Sequence, residues 1–127
     1  MDAIKKARAK ESSRLMLAGG MTAGVAAILA GCLSIEQMAP PVGAEFASVG
    51  IRNGVTMSLL ETGRDVYLTD CSRCHSIEPI GRYSARRWRD ILPRMSEESK
   101  LDESRTAALE AYVLTAHKVI VQRATTN

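Results

Sequence analysis

In Cys71-Ser72-Arg73-Cys74-His75 two thiols stand three residues apart with an imidazole directly after the second, and this pentapeptide constrains the chain more than any other feature. On one helical turn each sulfur can add to a vinyl group of a haem, and the residue that follows places its imidazole beneath the iron. The spacing therefore predicts one covalently bound haem c, with Cys71 and Cys74 as thioether attachments and His75 as the proximal iron ligand. The competing use of two such thiols is half of a tetrahedral zinc cage. That cage needs a partner pair, and the remaining Cys and His are Cys32 and His117 alone.

The first fourteen residues carry Lys5, Lys6, Arg8, Lys10 and Arg14, and Leu15 to Ala30 then runs without a charge. A basic start followed by an uncharged stretch has the layout of an export signal. As a helix those sixteen residues would reach roughly 24 Å at 1.5 Å per residue, short of a hydrocarbon core of roughly 30 Å. Gly19, Gly20 and Gly24 weaken it further as a span. The stretch ends in Leu29-Ala30-Gly31-Cys32, which resembles a bacterial lipobox. The resemblance implies that Cys32 is acylated and becomes the first residue of the processed chain, anchored to a membrane surface without crossing it. An ordinary signal peptide with an incidental Cys, or an uncleaved anchor, is the plainer alternative. Arg14 has no arginine neighbour, which argues against a twin-arginine signal. Leu33 after the cysteine is not the aspartate that inner-membrane retention in enterobacterial lipoproteins would imply, so the periplasmic face of the outer membrane is the favoured address.

Five of the seventeen Lys/Arg and two of the fourteen Asp/Glu precede Cys32, which leaves twelve of each sign after processing. The basic balance of the whole chain belongs to its signal, and nothing in it argues for nucleic-acid binding, which wants a basic face on the folded domain. The 96 residues from Cys32 onward allow one small domain with five aromatic side chains, Phe46, Tyr67, Tyr83, Trp88 and Tyr112. Such a chain buries little apolar surface by itself. A porphyrin would supply the missing core, and its removal is expected to unfold the domain.

The expected division is a removed signal over residues 1–31, a lipid-anchored tether over 32–57 and the haem-binding domain over 58–127. Pro40, Pro41, Gly43, Gly50 and Gly54 break any helical period in the tether, which reads as irregular with a short extended piece around Val49 to Val55. Ser58 with Glu61 makes a capping-box pattern ahead of a stripe through Leu59, Leu60, Gly63, Val66 and Tyr67 that runs up to Cys71. Gly63 costs about 1 kcal/mol in a helix interior, which is tolerable where another helix must approach closely. Ser84 can cap a second helix with Trp88, Ile91 and Leu92 on one face, and Pro93 is expected to end or kink it, leaving Met95 just beyond. A third helix from near Asp102 carries Leu109, Tyr112, Val113 and Ala116 at core spacing and is the natural partner of the Gly63 helix.

From residue 58 to about 117 the order of these features resembles the small class I-type monohaem cytochromes c: a glycine-bearing helix, the Cys71–His75 motif, Trp88 with Met95 seven later, and a helix with Leu109 and Tyr112-Val113. The resemblance implies an all-α fold of three to four helices wrapped around the haem. It implies that Gly63 and Tyr112 pack the terminal helices together and that a methionine C-terminal to the motif completes the iron. The loop from His75 to Trp88 is shorter than in larger members of the class, so their proline cannot be carried over by position.

Three methionines follow Cys32, and Met95 is the best placed distal ligand, because Met38 lies in the expected tether and Met57 at a staple position. Packing is its plainer role, methionine being a common core filler. His117 is the alternative ligand, near the end of the helix expected to pack away from the distal face. Carbonyls around Glu78 to Ile80 are candidates to accept the His75 ring N–H and fix its tautomer. Arg82, Arg86, Arg87, Arg89 and Arg94 crowd thirteen residues with only Asp90 against them. Arg86 and Arg87 are candidates for haem propionate contacts, and the others for steering an acidic redox partner, against the plain alternative of a solvated helix face.

The sequence has no phosphate-cradling glycine loop, no nucleophile with a paired base and no evident catalytic carboxylate pair. The expected function is therefore single-electron transfer between a redox donor and acceptor, without small-molecule substrate or nucleic acid. His/Met ligation would raise the reduction potential toward the oxidising side of a respiratory chain. A five-coordinate haem acting as gas sensor or minor peroxidase, and a fixed cytochrome subunit of a larger membrane complex, are the alternatives.

Overall fold

A computed structural model describes residues 33–126. The signal-like segment and Cys32 lie outside the described residues. From Ser34 onward the chain forms one compact unit. It is all-helical, with no strand among the described residues: α1 (Ile35–Met38), α2 (Ala44–Ile51), α3 (Met57–Thr69), α4 (Ala85–Glu98) and α5 (Glu103–Thr126), with single 3-10 turns at Cys71–Arg73 and Ile80–Arg82. No described helix is long and apolar enough to cross a membrane.

α3 begins at Thr56, whose hydroxyl accepts from Leu59 N–H at 3.2 Å, so the helix start falls two residues before the Ser58 cap expected from the capping-box pattern. Its buried positions Leu60, Gly63, Val66 and Tyr67 form the expected stripe. They meet α5, where Ala108, Leu109, Tyr112, Val113, Ala116 and Val119 are buried. A Cβ added at Gly63 would fall on the Ala108 carbonyl and within 2.6 Å of Tyr112 Cβ. The two backbones can approach this closely only without that carbon, which is the reason for a glycine in mid-helix. Asp102 caps α5, its Oδ1 accepting from Arg105 N–H at 2.8 Å. The helix runs on to Thr126, nine residues past His117, where the stripe alone would have ended it.

Residues 34–57 do not form the irregular tether expected from their Pro and Gly content. Phe46, Val49 and Gly50 of α2 are buried, as are Ala39 and Pro40 ahead of it. Phe46 stacks on Tyr112 with ring centroids 6.1 Å apart. The Pro40 carbonyl accepts from the Tyr112 hydroxyl at 2.8 Å and from Arg64 Nε at 3.2 Å, and Arg64 Nε also reaches the Ala39 carbonyl. Two apolar side chains a turn apart suffice to dock a short helix when a larger surface receives them. The piece expected to be extended around Val49 to Val55 is instead the end of α2 and a turn closed by Val55 N–H on the Gly50 carbonyl.

α4 starts where expected, with Ser84 Oγ accepting from Arg87 N–H at 3.2 Å, but it continues through Pro93 to Glu98. Pro93 is exposed, so the carbonyl it leaves without a donor, that of the exposed Arg89 one turn back, lies on the solvent side of the helix. Met95 therefore belongs to α4 and does not sit beyond it.

Candidate haem site

Cys71, Cys74, His75, Ile77 and Glu78 line one side of a cavity of about 290 Å³. α4 lines the other with Trp88, Ile91, Leu92 and Met95, at the i, i+3, i+4, i+7 positions of one helix face, and α3 contributes Tyr67. Tyr67 and Tyr83 meet Trp88 edge-on, at centroid separations of 6.2 and 5.3 Å, and form an aromatic wall. The motif turn and the face of α4 that carries Met95 thus border one apolar space.

The 3-10 turn Cys71–Arg73 follows α3 directly, with Asp70 capping the end of the helix and the start of the turn. Cys71 is half-buried and Cys74 is exposed, both as free thiols. Burial pushes the Cys71 thiol above its ordinary range, so it is held in the protonated form. His75 is exposed and its Nδ1 lies 2.8 Å from the Ser76 carbonyl. A carbonyl can only accept, so this contact places the proton on Nδ1 and leaves the Nε2 lone pair free to bind a metal.

The carbonyls expected to receive the ring N–H serve other donors. Glu78 C=O accepts from the Tyr67 hydroxyl, Pro79 C=O from Arg82 N–H at 2.9 Å, and Ile80 C=O from Trp88 Nε1 at 2.8 Å. Two cavity-lining aromatics thereby fasten the loop that follows the motif. Burial raises the Tyr67 phenol well above its ordinary range, so it stays a donor across the working pH range.

Of the other residues singled out from the sequence, Arg87 and Arg94 line the cavity, whereas Arg86 and Arg89 do not. Both cavity arginines are exposed, as are Arg86 and Arg89. Arg82 pairs with Glu78 at 2.6 Å. Met38, Met57 and His117 are half-buried and none lines the cavity. Among the described residues no three His, Cys, Asp or Glu side chains gather as a metal-holding group.

One residue was not singled out from the sequence. Asp70, directly before Cys71, has a fully buried side chain. Its carboxylate accepts from Arg73 inside the motif, from Arg105 of α5 and from Thr69 Oγ1. The available signal was its place seven residues after Gly63, on the buried stripe of α3, where a carboxylate demands a cation.

Comparison of the chain with family models, curated proteins and solved structures finds no match.

Proposed function

We propose that this chain is a monohaem c-type cytochrome that passes single electrons between redox partners. The observation that carries the reading is the convergence of Cys71, Cys74, His75 and Met95 on one apolar cavity. The cavity fits the group in three respects. Two thiols stand at its edge, an imidazole keeps Nε2 free, and a thioether projects from a different helix. Cys71 and Cys74 would hold a haem by two thioether bonds, and His75 Nε2 and Met95 Sδ would bind its iron. When bound, the group supplies a one-electron couple of raised potential, as His/Met ligation does.

The remaining roles fall to the chain itself. Tyr67 and Trp88 hold the loop after the motif by its carbonyls, and Tyr67, Trp88, Ile91 and Leu92 exclude water. Arg87 and Arg94 offer cations to carboxylates at the edge of the cavity. That assignment moves the propionate contacts away from Arg86, which does not border the space. The remaining exposed arginines of α4 suit an acidic partner.

The lipid anchor at Cys32 and the periplasmic face of a bacterial membrane complete the proposal. Ala39 and Pro40 are buried only seven and eight residues after Cys32, so an acylated chain would hold its domain close to the membrane surface. Replacing Met95 by Ala tests the ligand set. The expected result is loss of the sulfur-to-iron charge-transfer band of the oxidised protein with a fall in reduction potential. An unchanged spectrum and potential would remove Met95 from the iron.

A further inference from the structure

A carboxylate stripped of water must be matched by cations or it destabilises the fold. Asp70 is matched twice, and its two partners come from places that have no other reason to meet. Arg73 lies between the two motif cysteines, and Arg105 lies in the first turn of α5. Arg105 is itself fixed, since its backbone N–H is held by Asp102. Asp70, the C-cap of α3, follows Gly63 by seven residues, and Arg105 and Ala108 are three apart on α5, so the bridge prolongs the close helix contact at Gly63 to the edge of the motif.

We infer that Asp70 is a positioning residue, whose carboxylate, bridging Arg73 and Arg105, fixes the Cys71–His75 turn on the α3–α5 seam so that both thiols and the imidazole face the cavity. The inference rests on the haem reading above and extends it to a residue outside the motif. In attachment each Sγ–H adds across a vinyl C=C, sulfur to one carbon and hydrogen to the other, and no oxidant is consumed. Both additions need the thiols presented together at one cavity edge. A turn released from α5 would present them in a range of orientations, and His75 with them. The Arg73 side chain is 67% exposed and Arg105 41%, so these two can be altered at smaller cost to the fold than Asp70 itself.

The test is expression of the full chain in a bacterial host that carries haem-maturation machinery. Covalent haem per chain is read after denaturation, and low-spin ferric EPR is recorded on the folded holoprotein. Asp70→Asn is expected to lower covalent haem per chain at least fivefold and to shift the g values of the fraction that is loaded. Arg105→Met and Arg73→Met, each removing one arm, are expected to lower it two- to threefold. Arg105→Lys, which keeps the charge, is expected to restore more than half of the loss. Asp65→Asn, an exposed carboxylate on the same helix, is expected to change neither readout. Should Asp70→Asn fail to fold, the two arginine variants decide. Native loading and native g values in Arg73→Met and Arg105→Met would overturn the inference and leave Asp70 a helix fastening. A wild-type chain without any covalent haem would overturn the haem reading itself and this inference with it.

Discussion

The seam between α3 and α5 and the cavity between the motif turn and α4 are built to different standards. At the seam Leu60, Leu109, Tyr112 and Val113 have no exposed surface, a glycine admits the neighbouring backbone, and the buried tyrosine hydroxyl has an acceptor. At the cavity Cys74 and His75 are exposed, Ile91 and Met95 are half-buried, and about 290 Å³ lies among them. Interiors of folded proteins are close-packed, and the seam meets that standard, whereas the cavity is an open cleft bordered by exposed and half-buried side chains. One half of this small domain is closed by its own side chains, and the other half carries an open cleft beside the Cys71–His75 turn.

The comparison breaks first at the seam. Gly63→Ala puts a methyl group on the Ala108 carbonyl, a backbone atom that cannot rotate away. The expected loss is about 3 kcal/mol or more, beyond the usual cost of overpacking, and denaturant unfolding measures it. The cavity side is expected to respond next. Cys71→Ser with Cys74→Ser would prevent the proposed covalent attachment, and the expected fall in melting temperature is at least about 10 °C, equivalent to about 2 kcal/mol in a domain of this size. Hydrogen exchange should then quicken in α4 and the motif turn before α3 and α5. Equal loss of protection in all four regions would remove the distinction between the halves.

The smallest effect concerns alkaline pH. Burial raises the Tyr67 and Tyr112 phenols above the ordinary value of 10.0, Tyr67 beside the cavity and Tyr112 within the seam. A group that binds its proton more tightly when folded contributes stability that is fully present below the unfolded value and is lost as pH rises past it. Unfolding free energy, for these two groups, is therefore expected to stay level to about pH 9 and to fall above pH 10, the unfolded value of tyrosine. Tyr67→Phe and Tyr112→Phe should each flatten that fall, and Tyr67→Phe should in addition loosen the loop at Glu78.

The seam was legible because period and residue type agreed. Leu60, Gly63, Val66 and Tyr67 on one helix and Leu109, Tyr112, Val113 and Ala116 on another follow the helical repeat, and a mid-helix glycine has a steric meaning. Cys71, Cys74 and His75 of the motif border one cavity, and their spacing alone points to the chemistry proposed for it. Residues 34–57 were not, since only Phe46 and Val49 mark the inner face of α2 among prolines and glycines, and their docking depends on Tyr112 and Arg64 far along the chain. Pro93 misled for a local reason: its cost depends on whether the carbonyl it orphans meets solvent, which sequence does not state. The ring of His75 meets the adjacent Ser76 carbonyl, while Tyr67 and Trp88 donate to the Glu78 and Ile80 carbonyls, contacts visible only after folding. Asp70 could be seen as an acidic residue on an apolar stripe, but Arg105, thirty-five residues away, could not be named as its partner.

The most direct test of the account is an absorption spectrum of the purified protein, matured in a host that attaches haem and recorded oxidised, reduced, and reduced under carbon monoxide. The account predicts a covalent haem with the methionine-to-iron band when oxidised and no shift under carbon monoxide, as expected if His75 and Met95 are the iron ligands. A covalent haem that lacks the band and binds carbon monoxide at once would mean an open iron and a gas-binding protein, and a chain without haem would contradict the reading of the cavity altogether.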